Sequence, residues 1–341
     1  MTRTRCGARA PWRVSPRTPD SGKVKAVTAF PTTTRTPGTA TRGGRRAAAP
    51  YSFLAPALVL FVAFLAAPIV YAGYLSLRRT RVTGLGLGAG SRVEVWAGLE
   101  NYVRSLSDPE FLPSVQRVGA YGLIVVPTML GLALLMALLL DAGRTRVGTF
   151  ARTSIFLPYA VPAVVASLLW GFLYLPRVSP FADLMQSAGL TPPDVLSGSW
   201  VLYAVANIAV WGGTGFNMIV LFTALRAIPT DLFEAARLDG ASDVQIALRI
   251  KIPILLPSLV MTFVFSLIAT LQVFAEPMTL RPLSNTISTT WTPLMKVYRD
   301  AFTRNDVYSA AATSVVIAVA TFALSFGFLK LVGSRAFNQE D

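Results

Sequence analysis

Histidine is absent from this 341-residue chain, and cysteine occurs once. Without an imidazole there is no HExxH-type zinc site, no Ser/His/Asp triad and no histidine proton relay, because each needs a group that titrates near neutrality. Cys6 has no partner within the chain, so no disulfide framework exists. A G-x-x-x-x-G-K-[ST] loop is missing too: Gly22-Lys23 follows Arg17 where that motif needs glycine, so nothing here cradles ATP phosphates. Charge is scarce, at 14% of residues against about a quarter in soluble domains. These absences leave no candidate catalytic, metal or cofactor residue.

What is present is apolar: 53% of residues are hydrophobic, the composition of a membrane protein. The formal charge of +14 would suggest nucleic acid on a soluble surface, but 11 of the 31 basic residues fall in the first 46 positions. Residues 1–50 are rich in Arg, Thr, Pro, Gly and Ala, carry one acid, Asp20, and show no apolar periodicity, which predicts a disordered basic tail. Such a tail marks the cytoplasmic side of a first membrane helix or offers a basic tract to lipid; no nucleic-acid partner is expected.

A hydrocarbon core of ~30 Å takes about 20 helical residues to cross. Apolar stretches of that length occur at Ser52 to Leu77, Val118 to Leu140, Ser154 to Leu175, Trp200 to Leu225, Leu255 to Ala275 and Ser309 to Val332. The fold class expected is therefore all-α, a six-helix transmembrane domain over 51–341. With the tail and the C-terminus inside, 20 Lys/Arg lie inside and 11 outside, the sign of the positive-inside rule, although Arg78, Arg79 and Arg81 run against it. The first span starts late and is longer than a signal-peptide core, so it reads as an uncleaved helix. Between spans one and two, Leu99, Tyr102, Val103 and Leu106 recur at helical spacing, predicting a short amphipathic helix. It either packs on the bundle rim or headgroups, or docks an external partner.

The segment between spans four and five, 226–253, is the most specific. "EAARLDGASDVQIALRIKIP" sets Glu234, Ala235 and Ala236 on one short helix, lets Gly240 end it at positive φ, and allows a second helix to open near Asp243 and reach Pro253. Leu232, Phe233, Ala235 and Ala236 give the first helix an apolar face that needs cover. This loop resembles the EAA loop of binding-protein-dependent ABC importer permeases, EAA-x3-G-x9-I-x-L-P, with Ile250 and Pro253 in register and Ile252 in place of the usual Leu. "WAGLENYVRSLSDPEF" is similar to an external segment of the carbohydrate-uptake branch, and "GTFARTSIFLPYAVPAVVASLLWGFLY" resembles its third span. The departure is "AEPMTLRPLSNTISTTWTPLMKVYRDAF" after span five, where the branch commonly turns at Gly-Gly-Pro.

The resemblance implies a type I ABC importer permease fold in the bacterial cell membrane, with the loop as a coupling helix seated in a cytoplasmic ATPase subunit. It implies as partners a second permease subunit, two ATPase subunits that bind the ATP, an external solute-binding protein, and membrane lipids. The cargo implied is a sugar or related polyhydroxylated solute.

Candidates for the substrate path follow from side-chain chemistry. Asn207, Trp211 and Thr214 share one face of span four, where an indole suits sugar C–H surface and amides and hydroxyls suit its OH groups; Asn207 and Trp211 equally serve as helix-to-helix glue, and for Thr214 glue is the favoured reading. Gln272 and Glu276 lie one turn apart in span five, on helices along which the resemblance runs the path. Thr262, Ser266 and Thr270, spaced by four, are expected to bond back to their own helix. Arg281 or Arg299 would suit an anionic cargo. A non-sugar solute, a secondary carrier, and a membrane enzyme or assembly factor are the alternatives; the span centres are nearly free of charge, and carriers usually place ionisable groups there.

Overall fold

The computed structural model describes residues 48–82, 92–142 and 147–337. The basic tail expected over 1–50, apart from its last three residues, lies outside them, as do the glycine-rich stretch Gly84 to Gly90 and the last four residues. The chain divides into two compact units at Ala57 and Leu58. Of the first, only the opening of a helix lies among the described residues.

Helices α1 (Ala48–Phe61) and α2 (Ala67–Ser76) are joined by one π-helical turn into the first apolar span, Phe53–Ser76. Strands β1 (Arg78–Val82) and β2 (Arg92–Trp96) then pair antiparallel, Arg78 opposite Trp96. This hairpin is an addition to the expected all-helical class, and it is small. Its signal in sequence is the brief alternation of Val93 and Val95 with charged neighbours, too short to register.

Next comes α3 (Glu100–Leu106), the amphipathic helix predicted there, but with its faces reversed. Asn101 and Ser105 are buried, while Leu99, Val103 and Leu106 are more than half exposed. Hydrogen bonding is the reason. Asn101 Nδ2 donates to the carbonyls of Ser76 (2.8 Å), left unsatisfied at the end of α2, and of Arg78 (2.6 Å), at the start of β1, and Ser105 meets Ser309 (3.2 Å).

The centre is built on α4 (Phe111–Ala142), whose 32 residues run to about 48 Å at 1.5 Å each, longer than a hydrocarbon core. After it come α5 (Val147–Phe156), α6 (Ala163–Tyr174), α7 (Pro180–Ser187) and α8 (Trp200–Arg226). Along α4, Val118, Tyr121, Val125, Met129, Ala133 and Ala137 recur every three or four residues and are buried. Ala133 and Ala137 meet Met218, Leu221 and Leu225 of α8 in one core cluster. Small residues there let the backbones approach, which gives van der Waals packing where lipid removes the hydrophobic drive.

The third span departs from the single helix expected at Ser154 to Leu175. Gly148–Ala160 and Ala163–Tyr174 meet at 97°. Pro158 and Pro162 explain the bend. Each lacks an N–H, and the residue before a proline is pushed out of the α region; Val161 is extended, with φ −79° and ψ 125°. The first half lies directly on α8, because a Cβ at Gly215 would strike the Ile155 carbonyl oxygen and come within 2.8 Å of the Phe156 Cα. Counting this pair as one, the described residues offer up to six membrane crossings.

The remainder runs through α9 (Asp231–Leu238), α10 (Asp243–Ile246), α11 (Ile252–Ile254), α12 (Leu256–Leu271), α13 (Ala275–Leu280), α14 (Pro293–Tyr298) and α15 (Val307–Phe337). Span five is interrupted as well, since Phe274, between α12 and α13, has the non-helical angles φ −146° and ψ −50°.

Candidate functional site

The two interruptions face one another across a cavity of about 820 Å³. Its wall takes Pro158 to Ala163 from the broken third span, Gln272 to Glu276 from the broken fifth, and one face each of α4 and α8. Irregular backbone at membrane depth survives only where protein or a polar cavity satisfies it, so two breaks meeting at one cavity mark a site rather than a defect. Tyr159 and Phe216 stack here, ring centroids 4.8 Å apart and planes inclined at 21°. They form an apolar platform beside the polar groups of Tyr121, Asn217, Thr270, Gln272 and Glu276.

The candidate residues divide between two places. Gln272 and Glu276 line the cavity, and so do Ser266 and Thr270. Thr262, by contrast, bonds back to the carbonyls of Ser258 and Leu259, both at 3.0 Å. The α8 face turned to the cavity is Ile208, Ala209, Gly212, Gly213, Phe216 and Asn217. Asn207 and Trp211 sit elsewhere: Asn207 Nδ2 donates to the Tyr174 hydroxyl (2.9 Å), and the Trp211 ring meets Trp170 edge-on at 5.9 Å. Thr214 donates to its own helix at Val210 O (2.6 Å). Tyr159 and Phe216 escape a sequence reading because their pairing depends on the bend; the prolines of "LPYAVP", four apart inside an apolar run, were the available signal.

At one end of the bundle the EAA segment forms two short helices. Glu234, Ala235 and Ala236 lie on α9, with Glu234 and Ala235 exposed and Ala236 half-buried. Gly240 has φ +85°, and the amides of Gly240 and Ala241 donate to the carbonyls of Arg237 (3.0 Å) and Ala236 (2.9 Å), a Schellman closure. Ser242 caps α10: its hydroxyl accepts from the Gln245 amide while the Gln245 side chain accepts from the Ser242 amide. Ile250 falls in a π-helical turn, Ala247–Lys251, whose wider spacing carries the chain through Pro253 without ending the helix there. Leu238, Val244 and Leu248 are left largely exposed on this loop, at 89%, 67% and 60%. Lys251, itself mostly buried, reaches Asp141 at the end of α4 (2.6 Å) and sits over the Phe233 ring of α9 (4.8 Å).

Near the start of α4 lies a charged cluster. Lys296 reaches Asp300 (2.6 Å) and Asp108 (3.2 Å), and Arg299 reaches Asp300 (2.9 Å) and Glu110; Lys296, Arg299 and Asp300 are buried. Burial acts to raise the Asp108 pKa, but the Glu110 amide and the cations Lys296 and Arg299 outweigh it and hold it below its ordinary value of 3.8. Burial likewise opposes the Arg299 charge, and its bonds to Glu110 and Asp300 prevail to keep it protonated. Arg299 is thus spent on carboxylates.

Residues 129–336 match the family described as the binding-protein-dependent transport system inner membrane component. The chain belongs to that family. It is similar to the sn-glycerol-3-phosphate transport system permease protein UgpA of Brucella abortus, 32% identical over 289 residues, covering 84% of this chain and 95% of the relative. It is also similar to the probable ABC transporter permease protein YurN of Bacillus subtilis, 31% identical over 293 residues, with 82% and 94% covered. In fold it is similar to a chain of a bacterial ABC transporter involved in import of the acidic polysaccharide alginate, with a TM-score of 0.73 at 19% identity, covering 86% of this chain and 98% of that one. An importer permease spanning the membrane several times is therefore what the chain is, and the resemblance drawn from its EAA loop holds.

Proposed function

We propose that this permease moves a sugar or related polyhydroxylated solute, delivered by an external binding protein, through the cavity between the broken third and fifth spans. In this reading a second permease subunit completes the path, and two ATPase subunits carry the ATP and dock on the EAA loop, with that loop and both termini cytoplasmic. The chain has no catalytic role of its own. The observation that carries the reading is the cavity itself, where a stacked Tyr159–Phe216 platform stands beside hydroxyl, amide and carboxylate groups. Carbohydrates present the matching surfaces, C–H faces for rings and OH groups for hydrogen bonds. The exposed Leu238, Val244 and Leu248 supply an apolar surface for the ATPase to cover. The relative UgpA is named for sn-glycerol-3-phosphate, a phosphorylated polyol, which supports a hydroxyl-bearing cargo without setting its charge.

The test is a plug. Gly212 lines the cavity and has open space where a side chain would go. In the complex reconstituted in proteoliposomes with its binding protein, Gly212→Trp is expected to abolish uptake of the binding protein's ligand while the complex stays assembled. Uptake at the unsubstituted rate would overturn the reading.

A further inference from the structure

We propose that the cavity selects by charge: Glu276 bars anions, and the cargo carries no net negative charge. This rests on the cavity being the permeation path. Among the described residues lining it, Glu276 is the sole charged side chain, half-buried beside Gln272 and across from Tyr121; Lys and Arg are absent from the lining. The other polar groups there, on Tyr121, Asn217, Ser266, Thr270 and Gln272, carry no formal charge and suit hydroxyls.

The nearby cations are committed elsewhere. Arg299 is buried against Glu110 and Asp300. Arg117 lines a separate cavity of about 470 Å³ and donates to the Trp291 carbonyl (3.2 Å). Lys251 is held by Asp141 on another part of the fold. Arg281 stands exposed beyond α13 and is not part of the cavity wall. A carboxylate or phosphate brought to about 5 Å from the ionised form of Glu276, at an effective permittivity of about 20, is disfavoured by roughly a hundredfold relative to a neutral group of the same shape. A solute with hydroxyls alone meets no such penalty, and Glu276 accepts hydrogen bonds from two of them.

The experiment identifies the ligand of the binding protein that delivers to this complex, then measures uptake of that ligand and of its uronate analogue by the reconstituted complex, each at a concentration saturating the binding protein. The ligand is expected to be neutral, and the unsubstituted complex to carry it about a hundredfold faster than the uronate. In Glu276→Gln the ratio of neutral to uronate uptake is expected to shrink below about tenfold, whatever the absolute rate of neutral uptake. A ligand bearing a carboxylate or phosphate overturns the inference whatever the variants do, and so does an unchanged gap in Glu276→Gln. Gly212→Trp run in parallel separates the two levels: if it leaves uptake intact, the permeation path itself is wrong; if it abolishes uptake of an anionic ligand, the path stands and charge selection falls.

Discussion

Lys251 Nζ lies 2.6 Å from Asp141 Oδ2, and both side chains are almost withdrawn from solvent, at 13% and 9% exposed. The pair ties the far end of the EAA loop to the last turn of α4, and Phe233 beneath Lys251 ties in α9, the helix proposed to meet the ATPase. Arg226 adds a longer contact to the same carboxylate, 4.0 Å. Removing one member of a buried pair leaves an uncompensated charge, at a cost of about 3 kcal/mol. Asp141→Ala is expected to lower the thermal midpoint of the detergent-purified complex and to weaken the link between ATP hydrolysis and uptake. The exchange Asp141→Lys with Lys251→Asp is expected to recover a large part of both. Recovery no better than either single variant would remove the pair from the coupling route.

Gly240 adopts φ +85° with open space where a Cβ would sit, so a substitution there is opposed by backbone conformation alone. The left-handed region costs an L-residue about 1–2 kcal/mol, less for Asn than for Ala. Substrate-stimulated ATP hydrolysis is expected to fall in the order Gly240, Gly240→Asn, Gly240→Val. Equal rates across the three would show that the turn is not needed in this shape.

At Gly215 the obstacle is contact instead. A methyl group would meet the Ile155 carbonyl and the Phe156 Cα, both backbone, which cannot swing aside. Gly215→Ala is expected to destabilise by about 1–3 kcal/mol through overpacking. Gly212→Ala, three residues earlier in open space, is expected to leave the thermal midpoint unchanged or slightly raised, because alanine favours a helix interior over glycine. Comparing the two in one unfolding assay isolates the close approach of the broken third span.

The Asp108 cluster predicts an acid limit. A carboxylate whose folded-state pKa is depressed stabilises the fold above its unfolded value, and that contribution is lost as pH falls through the folded value. Asp108 lies below 3.8 in the folded protein, so its contribution is intact at neutral pH and disappears below about pH 4. Thermal midpoints measured from pH 7 down to pH 3 are expected to drop more steeply for the unsubstituted chain than for Asp108→Asn. Parallel slopes would show that Asp108 does not report on the fold.

The spans illustrate what a sequence carries and what it leaves out. Apolar runs and their charged ends are local, so the limits of span four, Trp200–Arg226, stand within one residue of those read from the sequence. The EAA spacing is local too, because a Schellman turn and a capping box are made by residues within six positions of one another. Helix faces are another matter. Asn207 and Trp211 are chemically suited to sugar, but which side of α8 meets the cavity depends on where α4 and the broken spans pack, and that side carries Phe216 and Asn217. On α3 the apolar face is outward because carbonyls at the end of α2 and the start of β1 claim Asn101, a demand made by residues more than twenty positions away.

Sequence alone determined the membrane class, the transporter family and the paired short helices of the EAA loop, since hydropathy, spacing and turn chemistry act over a few residues. Tertiary structure decided the 97° bend of the third span, the meeting of Tyr159 with Phe216, and the isolation of Glu276 as the one charge on the cavity wall among the described residues. Each of these is a relation between distant segments, fixed only when helices pack and the polar groups freed by broken backbone find partners or a cavity.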